Sequence, residues 1–311
     1  MLGVVLYLLG AALLLGPATY GWVVQRAATQ EATAALARDG SAMAQAGEAP
    51  DEATDGSDAA TDASSSAASK RAKDGDAAYA YLRDYNARVI EGTAGPAEDP
   101  WDGDAASSPL ADVGLADQVM GTIAIPRLGE TLPVYLGATY DNLARGAAVV
   151  SGTSVPLGEP GSNSVIAAHR GQWRGLTMFR DIEDLRAGDL VTIETPWDTL
   201  VYEAVEFRVI APTDTDAVRP QPGRDLVTLL TCHPYGHNYQ RYLVICERVD
   251  APAAPAGTSL AAALARPALS VLEPSASPEL VAERWLRLVG LVALVLTPVV
   301  LAVRALARRR R

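Results

Sequence analysis

A chain of 311 residues is long enough for one sizeable domain or two small ones. Its net charge of -11 and the lack of any basic patch outside its apolar ends argue against a nucleic-acid-binding protein. It is not uniformly globular, because its apolar, acidic and β-patterned residues fall in separate blocks.

The first block, Leu2 to Gln25, carries no charged residue, and neither does Leu288 to Val303 near the other end. Each, with its flanks, approaches the ~20 apolar residues that cross a bilayer as a helix. The second is 16 residues long and extends through Trp285 and Leu286 if Arg287 snorkels to the interface. Arg304 and Arg308 to Arg311 then hold the C-terminus in the cytoplasm, and two spans put everything between them outside the cell. Leu2 to Gln25 could instead be a cleaved signal peptide. The missing basic n-region and the length of the stretch favour an uncleaved anchor. From Asp39 to Ser69 there are seven acidic residues, no Lys or Arg, and otherwise mostly Ala, Ser, Gly and Thr. Such a segment cannot bury enough apolar surface to offset its ordering entropy and is expected to be a disordered spacer.

After the spacer, Ala77 to Ile90 reads as a helix, with Tyr79, Leu82, Tyr85 and Val89 near helical spacing. Glu91 to Leu110 is a loop rich in Gly, Pro, Asp and Ser that contains Asp99-Pro100-Trp101. Eight β-like runs follow: Met120 to Ile125, Thr131 to Leu136, Ala147 to Ser151, Asn163 to Ala168, Leu190 to Glu194, Leu200 to Val209, Leu226 to Thr231 and Tyr242 to Arg248. Short helical turns are expected near Tyr140 to Ala144 and Leu176 to Asp181. Many short strands with few helices predict a mainly β fold, a barrel or sandwich. Ala251 to Ala276 is Ala/Pro/Ser-rich and reads as a linker. The expected layout is an anchor over 1–25, a linker over 26–76, an extracellular folded domain over 77–250 and a second linker over 251–284. A membrane helix over 285–304 and a basic tail over 305–311 complete it.

The chemistry concentrates where Thr228-Leu229-Leu230-Thr231 ends in Cys232 and His233-Pro234-Tyr235-Gly236 breaks the strand. Arg241 heads the next apolar run. In a hairpin around that turn, Cys232 sits near Arg241. Cys246 then lies roughly 16 Å further along at strand rise, whereas a disulfide needs Cα atoms within about 7 Å. Cys232 is therefore expected to be a free thiol, and Cys246 a small buried apolar residue. His169 closes Ser164 to Ala168 and would be presented at a barrel rim. A thiol, an imidazole and a guanidinium can supply a nucleophile, a general acid/base and an oxyanion donor. His233 adjoins Cys232, but alternation along a strand turns it to the other face. His237 in the turn could still reach the site. A metal site built from Cys232, His233 and His237 lacks further ligands nearby, so neither metal nor cofactor is expected.

These residues resemble a known family. Thr228-Leu229-Leu230-Thr231-Cys232, Pro234-Tyr235-Gly236, Asn238 and Arg241 are similar to the active-site signature of sortases, and Ala168-His169-Arg170-Gly171 to their histidine segment. Gly121 to Pro126, Leu132 to Tyr135 and Gly152 to Pro156 resemble the same family, so the likeness runs from about Ala77 to Arg248. Asp99-Pro100-Trp101 resembles the lid of class C, pilus-assembling sortases, as do the Pro-Tyr-Gly and the second apolar helix. The resemblance implies an eight-stranded sortase-type β-barrel with a lid within about 91–110, held at the membrane by its two terminal helices. It also implies a cysteine transpeptidase acting on LPXTG-like sorting signals of pilins or surface proteins. Cys232 would be the nucleophile, His169 the acid/base and Arg241 the oxyanion donor, with a pilin lysine amine as acceptor. Asp99 would pair with Arg241, and Trp101 would cover Cys232. A housekeeping sortase that uses a peptidoglycan amine, a hydrolytic cysteine protease and a non-catalytic membrane scaffold remain the alternatives.

Overall fold

The computed structural model describes residues 2–46, 73, 75–101, 110, 113–253, 259–269 and 278–309. A long helix, α1 (Leu2–Ala46), and α2 (Ala77–Ile90) precede the strands β1 (Val119–Ile125), β2 (Glu130–Leu136), β3 (Ala147–Val149), β4 (Asn163–Ala167), β5 (Leu190–Glu194), β6 (Thr199–Ile210), β7 (Leu226–His233) and β8 (Gln240–Arg248). Helix α3 (Tyr140–Arg145) lies between β2 and β3, and helices α4 (Leu260–Leu269) and α5 (Pro278–Arg309) follow the strands.

The strands close into a barrel in the order β1-β2-β3-β4-β7-β8-β6-β5, with β5 returning to β1. Pairs β2–β3 and β4–β7 are parallel and the rest antiparallel. The eight expected strands are all present, each within a few residues of its expected ends. Closure leaves no free edge. Side-chain alternation separates two apolar sets. Ile123, Leu132, Val134, Ile166, Leu229 and Val244 fill the interior. Val119, Tyr135, Val165, Leu230 and Leu243 face outward beneath other segments. A strand covered on both faces reads as a near-continuous apolar run, which is why β7 looks so uniformly hydrophobic.

Helix α2 occupies the span its periodicity predicts. The Asp76 carboxylate caps it by accepting from the backbone N–H groups of Ala78 and Tyr79 at 2.9 and 3.1 Å. Its Leu82, Tyr85 and Val89 join the core. The second expected helical turn lies slightly later, as a short 3-10 turn over Ile182–Asp184.

Both flanking segments differ from the linkers expected of them. The region 26–76 begins as helix, since α1 continues through Ala46, and 47–72 lie outside the described residues. Alanine is the strongest helix former, and Ala28, Ala32 and Ala35 share one face of α1 that lies against the barrel. Gln25 donates to the Glu130 carboxylate at 3.0 Å, and the Thr29 hydroxyl donates to the Thr131 carbonyl at 3.3 Å. Small side chains let this helix approach closely, and composition alone reads those same alanines as spacer.

The region 251–284 likewise contains α4 and the start of α5. Arg284 is buried there, donating to Asp181 at 2.9 Å and Asp184 at 2.7 Å. Arg180 pairs with Glu283 beside it. The charges that look like a solvated helix flank are thus the docking contacts of α5 on the barrel. Further along, the Tyr7 hydroxyl donates to the Leu294 carbonyl at 2.8 Å, and Gly290 packs against Leu14. The two terminal helices are long and apolar enough to cross a membrane and contact each other along their apolar lengths.

Candidate active site

Three neighbouring strands carry the candidate residues to one end of the barrel. In the parallel pair β4–β7, Ala167 is level with Leu230, so the chain continues to His169 at the level of Cys232. The Ala168 N–H donates to the Leu230 carbonyl at 3.2 Å and the Thr231 hydroxyl to the Ala168 carbonyl at 2.7 Å, which binds the two strand ends together. Across the antiparallel pair β7–β8, Cys232 is directly opposite Arg241. Directly opposite residues share a face and lie closest across the sheet. This is the outward face, shared with Leu230 and Leu243. Cys246 pairs with Val227, five residues further along and on the inner face; both cysteines are free.

Arg241 makes a fork to Asp99, Nε to Oδ1 at 2.9 Å and Nη2 to Oδ2 at 2.6 Å. Its Nη1 donates to the Asn238 and Gln240 carbonyls at 3.0 and 2.9 Å. The pair is largely shielded, at 7% and 14% side-chain exposure, so its charges are screened little by solvent. Trp101 places its ring 5.0 Å from the guanidinium of Arg241. Its indole N–H donates to Nδ1 of His169 at 3.4 Å. Trp101, expected to cover Cys232, thus makes its contacts with the histidine and arginine on either side of it.

His169 has a second aromatic neighbour. Trp173 stacks on the imidazole at 4.7 Å between ring centroids, with 24° between planes. An Nδ1 that accepts from Trp101 leaves the ring proton of the neutral imidazole on Nε2. Burial holds the His169 pKa below its ordinary value, since desolvation disfavours the charged form. Burial also pushes the Cys232 thiol up to about 11, with the Asp99 carboxylate acting in the same direction and Arg241 and Arg170 against it. At that value on the order of one thiol in 10⁴ is ionised at neutral pH. The arrangement therefore holds a neutral thiol, a neutral imidazole and an arginine whose charge is matched by Asp99.

The segment that brings in Asp99 and Trp101 is held by the barrel. The Glu98 N–H donates to the Ser151 carbonyl at 3.1 Å. Gly152 sits at a φ of +79°, and a Cβ there would lie 2.1 Å from the Pro96 carbonyl oxygen. Gly152→Ala is accordingly expected to push residues 96–101 away and to raise the labelling rate of Cys232 by a small thiol reagent severalfold. A folded variant with the wild-type rate would show that this crossing does not control access. Residues 102–109 of the expected lid lie outside the described residues.

His233 is taken up elsewhere: its Nδ1 lies 2.8 Å from Nη1 of Arg170 and 3.1 Å from Glu183. A guanidinium at that distance also makes it a poor metal ligand. His237 is exposed in the turn. Sequence reasoning misses Trp173 and Glu183, and it names Arg170 only as part of the histidine segment, with no role of its own. Arg170 had a cue in its adjacency to His169, and Trp173 in being a lone aromatic shortly after it. Glu183 reaches the site only through the turn at Ile182–Asp184, which no local pattern reveals.

Comparison with known proteins places these residues in context. The Sortase domain profile matches residues 123–249. Sortase A of Bacillus anthracis is 32% identical over 148 residues, covering 46% of this chain and 68% of that protein. Among solved structures, sortase C1 of Streptococcus agalactiae superposes with a TM-score of 0.53 at 30% identity, covering 57% of this chain and 90% of that one. Sortase C-1 from Actinomyces oris is 36% identical with a TM-score of 0.50, covering 56% and 98%.

Proposed function

The chain belongs to the sortase family of cysteine transpeptidases, and from that premise we propose that it is a membrane-held, class C pilus-assembling enzyme. Cys232 is its nucleophile, His169 its acid/base and Arg241 its oxyanion donor. The Cys232 thiol gives its proton to the neutral His169 as its sulfur attacks the threonine carbonyl of an LPXTG-like sorting signal. Arg241, once free of Asp99, donates to the oxygen as negative charge develops there. The Thr–Gly C–N bond breaks as His169 gives its proton to the leaving amine, which leaves a thioester on Cys232. A lysine amine of the next pilin then attacks the thioester. The C–N bond forms, the C–S bond breaks, and the surplus amine proton goes to His169. The product is an isopeptide, and His169 passes that proton to the departing sulfur, which restores the free thiol and the neutral imidazole.

The observation that carries the class C reading is the closed segment, with Asp99 in a fork to Arg241 and Trp101 on His169. In this reading Asp99 and Trp101 are lid residues that substrate must displace. The charge-free stretches of α1 and α5 cross the membrane side by side and hold the barrel outside it. The test is to incubate the full chain with an LPXTG-type peptide and a lysine-bearing pilin fragment, then weigh the products. A thioacyl adduct on Cys232 followed by a lysine-linked polymer is expected. Transfer only to a peptidoglycan amine would favour a housekeeping role. Release of free acid in the presence of amines would indicate a hydrolase.

A further inference from the structure

An ion pair with almost no solvent exposure lies behind Cys232. Arg170 and Glu183 have side chains 0% and 4% exposed, and their Nη2 and Oε1 are 2.7 Å apart. Nη1 of Arg170 is 3.4 Å from the Cys232 carbonyl and 2.8 Å from Nδ1 of His233, which Glu183 also approaches at 3.1 Å. The ring of Tyr242 covers His233 at 5.6 Å, and Arg170 lies 6.0 Å from the Tyr235 ring. One guanidinium thus connects the residue after His169 to the backbone of Cys232 and to the side chain beyond it. Glu183 fixes that guanidinium from a third segment.

Burying two charges costs several kcal/mol per ion, and an apolar pair of the same volume is often as stable or more so. Stability alone is thus a poor reason for this pair. Its geometry supplies another. His169 and Cys232 lie two residues beyond Ala167 and Leu230, the last pair between β4 and β7, so that parallel ladder does not fix one against the other, and β8 holds only Cys232. Beyond the Ala168 and Thr231 bonds, Arg170 is the link that reaches across to the nucleophile's own peptide unit. A misplacement of about 1 Å between reacting groups can cost roughly 10²-fold in rate. The positive charge of Arg170 also opposes the upward push of burial on the Cys232 thiol.

We propose that Arg170 and Glu183 are positioning residues that set the placement of Cys232 relative to His169, acting through the Cys232 carbonyl and His233 without touching substrate. The inference rests on the transpeptidase reading above. Its test is single-turnover thioacylation of the full chain by an LPXTG-type peptide, in wild type, Arg170→Lys, Glu183→Gln and the apolar double variant Arg170→Met/Glu183→Leu. The maximal rate is expected to fall about 10- to 100-fold in all three variants, with half-saturating peptide changed less than about twofold. The double variant should keep the thermal midpoint of the wild type while staying slow. Wild-type rates in the folded variants would overturn the proposal. So would recovery of rate in the double variant, since that would make the pair merely structural. Failure of the wild type itself to form an adduct would count against the transpeptidase reading instead, which separates the two.

Discussion

Cys232→Ala is expected to yield no peptide adduct and no transferred product, while His169→Ala and Arg241→Ala each lower kcat/KM by roughly 10²- to 10⁴-fold. The three losses differ in kind. Without the sulfur no thioester forms, and no neighbouring side chain can replace it, since Cys246 is on the opposite face and fully buried. Without the imidazole the leaving amine departs unprotonated, and only water can supply the proton. His233 cannot substitute, because it is held by Arg170 and Glu183. Without the guanidinium the developing oxyanion loses its charged donor. Removing one such donor typically costs about 10²- to 10³-fold. Arg241→Lys sharpens this case, because a lysine keeps the charge but loses the planar fork. It should recover only part of the lost rate. Thioacylation followed by mass, at several peptide concentrations, distinguishes these effects. A Cys232→Ala chain that still transfers peptide, or a His169→Ala chain at the wild-type rate, would remove these residues from the mechanism.

The parts of this molecule that a reader of the sequence can recover are those set by local pattern. The β-branched content of Leu190 to Glu194 locates β5 to the residue, and the spacing of Tyr79, Leu82, Tyr85 and Val89 locates α2. The adjacency of Cys232 and Arg241 is legible because a tight turn between two strands forces residues near its ends together. The alanine-rich α1 is a different case. Nothing in the local residues distinguishes an alanine on a docked helix face from one in a solvated spacer, and only the presence of β1 and β2 decides it. Arg284 and Glu183 present the same difficulty with charge. Each looks like a solvated residue in its own segment, and each is buried against a partner outside its own turn or helix, Arg170 for Glu183 and Asp184 for Arg284. Trp101 shows a subtler limit. The tripeptide marks a closing segment, but which of three adjacent groups its ring meets depends on the path of the loop.

Asp99→Asn is expected to speed labelling of Cys232 by a thiol reagent severalfold at pH 7.5, and to shift the pH midpoint of labelling downward. The sign follows from the charges around the thiol. Arg241 favours the thiolate, and the Asp99 carboxylate both opposes it directly and offsets the Arg241 charge. Asparagine keeps the shape and one acceptor oxygen but removes the negative charge, so the thiol loses a proton more easily. Each unit by which its pKa falls from about 11 gives tenfold more thiolate well below the midpoint. A weaker base is also a weaker nucleophile, which returns roughly a factor of three per unit. The net gain is therefore about threefold per unit, and burial, the larger cause of the raised value, persists in the variant. Loosening of residues 96–101 adds access to that gain. Trp101→Ala separates the contributions. It opens the site and frees Nδ1 of His169 while leaving Asp99 on Arg241, so its rate should rise with a smaller shift in midpoint. Turnover of a sorting peptide is not expected to follow the same order, because in the proposed reading the substrate displaces the wild-type segment and the variants lack that cost. Equal labelling rates and midpoints in wild type, Asp99→Asn and Trp101→Ala would mean that residues 99–101 do not hold the thiol in check.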